Sequence, residues 1–317
     1  MRDLAASTRV VITTVGPYIL YGEPLVAACA AAGTDYVDLT GEPEFVDLVW
    51  LRHHEQAERS GARLVHSCGF DSIPHDLGAQ FTVDQLPEAV PISVKGFVRV
   101  GGTFSGGTYH SAIHIMGRLR QGMQVARERR QKEPRPQNRK VRGAPGKPHH
   151  SEIGGGWAVP FPTIDPQTVL RSARALPRYG PEFTYSHYLV VKRLPVLAGM
   201  MAGGACAVAL AQLPPTRDLL LKLKDPGEGP APEQRARSWF RVRFVGESDG
   251  KRVLTEVTGG DPGYSETSKM LSEAALCLAQ DNLPNRSGQL TPAVAMGHHL
   301  MARLQRAGIK FDVVDGG

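Results

Sequence analysis

Three short runs of β-branched and apolar residues recur at even spacing in the first third of the chain, and this spacing limits the fold most. The runs begin at residues 10, 36 and 63, and each is followed by a glycine and then by a helix-forming stretch. A repeat of 26 or 27 residues fits strand–helix–strand units, which join by right-handed crossovers into a parallel sheet. A helical bundle does not account for three such runs. The sequence therefore predicts an α/β fold built on a doubly wound parallel sheet.

Helices are predicted between and after these strands. Glu23-Pro24 opens an alanine-rich stretch that stops at Gly33, as proline in a first turn and glycine after a last turn favour. Farther along, alternating apolar and polar residues predict strands at 92–101, 238–247 and 251–258, and helical spacing predicts helices at 42–60, 73–81, 106–131, 265–279 and after Thr291.

The positive charge of the chain is concentrated in one segment. The net charge is +6, but residues 118–147 hold eleven Lys and Arg against two Glu, and the rest of the chain is slightly acidic. No aromatic residue interleaves this run, so nucleic-acid binding is not predicted. We interpret residues 132–152, which are rich in Pro and Arg, as an exposed basic loop.

The cysteines and histidines predict neither a disulfide scaffold nor a metal site. The four cysteines are widely spaced, which fits buried thiols in a reduced, cytoplasmic setting. His110 and His114 are four residues apart, but no Glu of an HExxH motif accompanies them, so no zinc is expected. The first residues carry no signal peptide pattern.

Several long segments resemble one known family. TTVGPYILYGEPLVAAC, GTDYVDLTGE and HSCGFDSIPHDLG, in this order, are similar to the saccharopine dehydrogenase-like oxidoreductases, and within them to the trans-acting enoyl reductases of cell-envelope lipid synthesis. SGGTYHSA, GGGWAVPFPTID, GDPGY and LTPAVAMG extend the resemblance over nearly the whole chain. The resemblance implies an NADP- or NAD-dependent oxidoreductase that reduces an enoyl or keto intermediate in lipid, polyketide-lipid or glycolipid synthesis. It also implies a lipid-like or acyl-carrier-bound substrate, contact with a polyketide synthase, and a homodimer.

The same resemblance sets the domain interpretation. Residues 1–90 would be the C-terminal half of a Rossmann-like dinucleotide-binding domain, and 91–290 an α+β substrate domain. Residues 291–317 would be a helix and strand that pack back on the first domain. No G-x-G-x-x-G turn occurs in the sequence, although such a turn normally holds the pyrophosphate. We therefore expect an incomplete Rossmann-like sheet with impaired cofactor binding. A truncated, non-catalytic homologue that acts as a binding or scaffold protein is the alternative.

Candidate site residues follow the three predicted strands, because the carboxyl ends of neighbouring parallel strands meet at one edge where ligands bind. Tyr18, Glu42 and Asp71 are the candidates for proton donation or enolate stabilisation. Asp71 also fits a helix N-cap. The predicted cofactor-binding residues are Gly16, Pro17, Tyr18, Thr40, Gly41, Gly69, Phe70 and Asp71, and the predicted substrate-binding residues are Ser105, Thr108 and Trp157.

Residues 194–216 contain no charged side chain and follow Lys192-Arg193. Alanine and glycine dominate the stretch, which predicts first a buried helix or a wall that faces an acyl chain. Peripheral contact with the plasma membrane is a second interpretation, and a membrane span is a third.

Overall fold

The structure, a computed structural model, describes residues 1–102, 106–225 and 229–315. Its strands are β1 (Val10–Thr13), β2 (Asp35–Asp38), β3 (Arg63–Val65), β4 (Ile92–Gly101), β5 (Lys140–Gly143), β6 (His149–Ser151), β7 (Gly156–Pro160), β8 (Glu182–Val191), β9 (Trp239–Ser248), β10 (Lys251–Gly259), β11 (Gly288–Leu290) and β12 (Lys310–Asp315). Its α-helices are α1 (Arg2–Ala6), α2 (Tyr18–Tyr21), α3 (Glu23–Ala32), α4 (Pro43–Ser60), α5 (Ile73–Asp84), α6 (Gly106–Gly117), α7 (Leu119–Lys132), α8 (Asp165–Ala175), α9 (Leu194–Ala211), α10 (Pro214–Leu221), α11 (Pro232–Arg235), α12 (Ser265–Gln280), α13 (Pro292–Ala295) and α14 (Gly297–Arg306).

The first sheet is parallel throughout, with strand order β1-β2-β3-β11. Helices α1, α3 and α4 pack on one face, where Val26, Cys29, Phe45 and Leu64 are buried together. Helix α12 packs against β1 and β2. This arrangement confirms the predicted α/β class and its parallel sheet.

The second sheet is larger and mixed, with order β12-β10-β9-β4-β8-β7-β6 and with β5 also paired to β8. Strand β4 pairs with β8 in parallel and with β9 in antiparallel direction. Helix α5 leaves the first sheet and lies against the second, where a Cβ on Gly78 would come within 2.3 Å of the Phe244 ring. Glycine at this position therefore lets the helix and the sheet approach closely.

The basic segment is mostly exposed, as its composition predicts, but it is not an unpaired loop. Strand β5 pairs with β8, and β6 pairs with β7, so both belong to the second sheet. The side chain of Arg139 donates to the carbonyls of Gly180 and Ala173, both at 2.8 Å. Proline and arginine therefore occur here between short strands rather than in an unpaired loop.

The predicted domain limits also need correction. Strand β11 pairs with β3, so the chain returns to the first sheet before residue 291. Strand β12 pairs with β10 of the second sheet, so the last strand does not pack back on the first. The predicted helix 106–131 is divided at Arg118 into α6 and α7, and the last predicted helix is divided at Met296 into α13 and α14.

Helix α9 is exposed, which overturns the expectation of a buried helix. Only Leu197 and Ala211 are buried in it, while Leu194, Val196, Met200 and Met201 are exposed. By length and composition alone, α9 is apolar enough to cross a membrane.

Candidate functional site

The loops that follow β1, β2 and β3 lie side by side at the carboxyl edge of the first sheet. The two carboxylate oxygens of Glu42 accept hydrogen bonds from the backbone N–H groups of Tyr18 and Ile19, each at 2.9 Å. A Cβ on Gly41 would lie 3.2 Å from the carboxylate of Asp71, so these two loops also touch. The structure thus brings together the three loops that the sequence placed at this edge.

Tyr18 and Glu42 hold these loops in place. The Tyr18 hydroxyl donates to the carbonyl of Thr13 and accepts from the backbone N–H of Leu39, both at 3.2 Å, and its ring is buried. Burial also raises the pKa of this phenol above its usual range. Because the hydroxyl is fully used inside the fold, the structure favours a positioning role for Tyr18 over the predicted catalytic one.

Glu42 is similarly enclosed. Besides the two backbone donors, the Ser111 hydroxyl of α6 donates to its carboxylate at 2.8 Å, and the residue is only 2% exposed. Burial raises the pKa of Glu42, although these three donors oppose the shift. Glu42 therefore ties the first loop to α6, and its predicted catalytic role stays a prediction.

Asp38 and His66 form the base of the site and were not predicted. One carboxylate oxygen of Asp38 accepts from the backbone N–H groups of Thr40 at 3.1 Å and Ser67 at 2.9 Å, and the other lies 2.6 Å from Nδ1 of His66. The Asp38 carboxylate thereby fixes the ends of both neighbouring strands. In the sequence, Asp38 lies within an apolar strand, so nothing in the local pattern marks it as a site residue.

Asp71 lies beside Gly41 in an exposed position at the carboxyl edge of the first sheet, and the space between these loops is called the cleft below. No hydrogen bond is formed to its side chain within the described residues. Desolvation by nearby protein atoms, with the negative charge of Asp165 as a second cause, raises the pKa of Asp71 to about 7. A carboxyl group with this pKa is able to hold and release a proton near neutral pH.

A buried polar cluster lies next to Asp71 and joins the two sheets. Asp165 begins α8, and its carboxylate lies 3.8 Å from Nε2 of His75 and 3.6 Å from Nε2 of His187. On its other side, Nδ1 of His187 lies 3.0 Å from the Tyr185 hydroxyl. Nδ1 of His75, Nε2 of His187 and one oxygen of Asp165 have no hydrogen-bond partner among the described residues. Such unsatisfied buried atoms are typical of functional sites.

The charges of this cluster are set by burial and by the charged groups that lie next to one another. Burial lowers the pKa of His75 to about 4, with His187 adding to the shift and Asp165 opposing it. The pKa of Asp165 is lowered because His75, His187 and the Thr163 hydroxyl together outweigh the effect of burial. At neutral pH the cluster therefore holds a carboxylate beside a neutral His75, with Asp71 able to change its charge nearby.

The roles of the predicted substrate-binding residues stay predictions. Trp157 lies in β7 with its ring against His150, whereas Phe161, directly after β7, stacks on His187. Thr108 is exposed in the first turn of α6, and Ser105 lies outside the described residues.

The signals for the missed residues are uneven. His75 and Asp165 lie inside the segments HSCGFDSIPHDLG and GGGWAVPFPTID, so their motifs were recognised but their side chains were not singled out. His187 lies in a strand of alternating side chains, and only the pairing of β8 brings it to Asp165.

Comparison with known proteins decides the family. A trans-acting enoyl reductase of Mycobacterium ulcerans is 34% identical over 341 residues, which cover 98% of this chain and 81% of the relative. The chain belongs to the saccharopine dehydrogenase-like oxidoreductase family. A Mycobacterium tuberculosis protein, also named as a trans-acting enoyl reductase, is 37% identical with the same coverage. A saccharopine dehydrogenase-like oxidoreductase of Bos taurus is 28% identical over 98% of this chain and 79% of its own length.

Solved structures agree on the fold. The apo saccharopine dehydrogenase (L-Glu forming) of Saccharomyces cerevisiae superposes with a TM-score of 0.51 over 99% of this oxidoreductase and 86% of the yeast chain, at 12% identity. This likeness extends to the fold alone. No protein-family model matches the chain.

The glycines of the cleft test whether a nicotinamide cofactor fits this protein. A side chain on Gly41 would press on the Asp71 carboxylate, so the backbone is open there because the residue is glycine. Thr14, Val15 and Gly16 are exposed directly after β1, at the edge where dinucleotides bind to such sheets. The residues present fit the nicotinamide end of the cofactor.

Proposed function

We propose that this protein is an NADP-dependent reductase, with NAD as the second choice, that acts on an enoyl or keto group of a lipid-like substrate. The observation that carries the proposal is the carboxyl of Asp71 at the carboxyl edge of the first sheet, whose pKa of about 7 suits a proton donor. It lies beside Gly41, where a Cβ would come within 3.2 Å of its carboxylate. The names of the mycobacterial relatives support the choice of an enoyl substrate.

Each residue of the cleft has a part in this proposal. Gly16, Pro17, Thr40, Gly41, Gly69 and Phe70 would hold the nicotinamide end. When bound there, a nicotinamide cofactor would supply the hydride that the β-carbon of the double bond takes up. Asp71 then delivers its proton to the α-carbon, so that one hydride and one proton saturate the bond, and the carboxylate is reprotonated from solvent.

The buried cluster would tune that proton transfer. After desolvation, the negative charge of Asp165 is the second cause that raises the pKa of Asp71, so that a substantial part of the donor is protonated near pH 7. His75 and His187 on either side hold the Asp165 carboxylate in place. Tyr18 and Glu42 fix the first two loops, as their backbone contacts indicate.

Oxidation of NADPH, followed at 340 nm with a trans-2-enoyl thioester, tests this function. The 317 residues hold no G-x-G-x-x-G turn, so we expect weak cofactor binding and use millimolar NADPH. Enoyl-dependent oxidation that is lost in Asp71→Asn and kept in the exposed Asp312→Asn supports the proposal. Failure of NADPH and NADH to bind in calorimetry, or equal activity of the two variants, would contradict it.

We also propose that α9 and α10 rest on an anionic lipid surface, so that the protein is cytoplasmic and peripheral to the membrane. Apolar side chains are exposed along both helices, with cations before α9 and after α10. The apolar residues are Leu194, Val196, Met200, Met201, Leu210, Leu213 and Leu219, and the exposed cations include Lys192, Arg193 and Lys222. Apolar area flanked by cations is typical of helices that lie in a membrane interface.

Co-sedimentation with liposomes tests the lipid contact. Met201→Glu should weaken binding to vesicles that contain phosphatidylglycerol, because it places a negative charge in the apolar region. Leu276→Glu is the matched control, since Leu276 is also an exposed apolar residue but lies on α12. Equal binding by both variants, or no preference for anionic vesicles, would contradict the contact.

A further inference from the structure

A cavity of about 400 Å³ lies on the other side of the loop after β3, away from the cleft of Asp71. Helices α4, α7 and α8 and the chain after β11 form its walls. Its polar lining includes His54, His66, Arg129, Glu133, Arg135, Arg171, Arg174 and Thr168. This volume is in the range of small-molecule sites.

The cavity adjoins the cleft without sharing its reactive groups. Ile164 and Thr168 line the cavity, whereas Asp165 between them belongs to the buried cluster. The Thr168 hydroxyl lies 3.2 Å from that of Ser72, which precedes α5. One turn of α8 therefore separates the two spaces.

Four guanidinium groups face two carboxylates around this cavity. Arg129 donates to Glu133 at 2.7 Å and to Asp47 at 3.1 Å. Arg171 donates to the same oxygen of Asp47, and Arg174 lies 3.8 Å from Glu133. Arg135 at the rim has no ion-pair partner in the described part of the chain. The walls carry two positive charges more than their carboxylates balance.

The guanidinium groups crowd one another even with Asp47 and Glu133 between them. Arg129 is 4% exposed, and burial together with Arg171 lowers its pKa to about 10. Burial also lowers the pKa of Arg174, with Arg171, Arg135 and Arg130 adding to the shift and Glu133 opposing it. A bound anion would relieve this repulsion.

An unsatisfied ring nitrogen of His66 is a second observation at this cavity. Nε2 of His66 has no hydrogen-bond partner among the described residues, and the ring lines the cavity although its side chain is only 4% exposed. Its Nδ1 is already taken by Asp38. The unsatisfied nitrogen therefore belongs to a side chain that borders the cavity.

We propose that this cavity binds the phosphoryl group of a small-molecule ligand. Arginine forks match the oxygens of a phosphate in bidentate fashion, and two excess positive charges match a phosphate monoester, which is close to a dianion at neutral pH. The cavity is larger than one phosphate, so the ligand has an organic part that packs against Trp50 and Leu290. Binding of a phosphoryl group in this cavity does not require the reductase activity.

Isothermal titration with inorganic phosphate and with 4′-phosphopantetheine, at fixed ionic strength, tests the site. We expect saturable binding of both, and tighter binding of phosphopantetheine would identify a carrier arm as the source, whereas equal binding would indicate a free phosphate ester. Citrate is the third arm. Tighter binding of citrate than of either phosphate would overturn the phosphoryl assignment, as would the absence of saturable binding.

Variants locate the binding. Arg174→Gln should weaken phosphate binding about tenfold or more, since a charge-assisted contact of about 1.5–3 kcal/mol is lost. Arg135→Gln is the second variant, because an exposed rim residue leaves folding unaffected. Arg120→Gln, on the exposed surface of α7, is the matched control. Binding that is unchanged in both Arg174→Gln and Arg135→Gln would overturn the proposal.

Discussion

The imidazole rings of His75 and His187 meet edge to face with their centroids 5.1 Å apart. His75 lies in the first turn of the helix that follows the first sheet, whereas His187 lies in a strand of the second. The two sheets are therefore joined through titratable side chains at the bottom of the cleft. Changes of pH should consequently act on activity and on stability through this one junction.

The pH dependence of reduction should follow Asp71. As a proton donor Asp71 acts in its protonated form, so turnover should fall about tenfold per pH unit above its pKa of about 7. Asp71→Asn should lower the rate by about 10²–10⁴-fold and should lose this pH dependence. Steady-state rates from pH 5 to 9 measure both effects. A wild-type profile that is flat across neutrality would exclude Asp71 as the donor.

The same carboxyl should lower the stability of the protein at high pH. Its folded pKa is raised, so between about pH 4 and 7 the folded state holds a proton that the unfolded state has released, and stability falls as pH rises through this window. Asp71→Asn stays neutral and should therefore melt above the wild type at pH 8, with a smaller difference at pH 5. Thermal unfolding at both values checks this, and a constant difference would contradict it.

His75 should act in the opposite direction. Its folded pKa of about 4 lies below the unfolded value of about 6.5, so stability is lost as pH falls from 6.5 through 4. The loss from this buried group is on the order of 3 kcal/mol. His75→Phe removes the group, so its urea unfolding free energy should fall less than that of the wild type over this window. Parallel curves for the two proteins would show that His75 does not titrate as described.

Arg139 should contribute measurably to stability, contrary to what an exposed loop would give. Its guanidinium bonds the carbonyls at the end of α8 and at Gly180, so Arg139→Ala leaves those carbonyls without a donor. We expect a cost of about 1–3 kcal/mol in urea unfolding. Arg120→Ala, on the exposed surface of α7, is the control and should change stability by less than about 0.5 kcal/mol. Equal effects would mean that the segment is unpacked.

Ala205 and Ala209 distinguish an outer surface from a core. Both are exposed on α9, so replacing either with Phe should leave the melting temperature nearly unchanged. Overpacking of a core would instead cost about 1–3 kcal/mol. If an acyl chain lies along this helix, the same variants should slow long-chain enoyl thioesters and spare short ones. A lowered melting temperature with equal inhibition of both substrates would contradict the exposed placement.

The fold could be predicted where local pattern and tertiary structure agree. The spacing of β1, β2 and β3 indicated the parallel sheet, and the loops after these strands indicated where the site lies. The basic segment was misjudged because β5 and β6 are too short and polar for a period-2 pattern to appear. They are strands because β8 and β7 offer them backbone partners.

The reactive groups were predicted less well, for a physical reason. Motif recognition pointed to Tyr18 and Glu42, but only their contacts reveal that backbone groups use their polar atoms. His187 lies in β8 and Asp165 at the start of α8, and the fold brings them together. No periodic pattern in the sequence reveals such a contact. Conversely, the apolar composition of α9 suggested burial, because composition does not tell which surface an apolar helix faces.

The placement of β11 has a consequence for how the chain emerges from the ribosome. Gly288 pairs with Arg63, and the Arg63 guanidinium bonds the carbonyl of Leu278, 215 residues later. The edge of β3 therefore stays unpaired until the residues between β3 and β11 have been synthesised. An open edge of this kind can pair with a strand of another nascent chain. Its partner β11 follows only after strands β4 to β10 have been made, so a chaperone that shields the edge of β3 would act during translation.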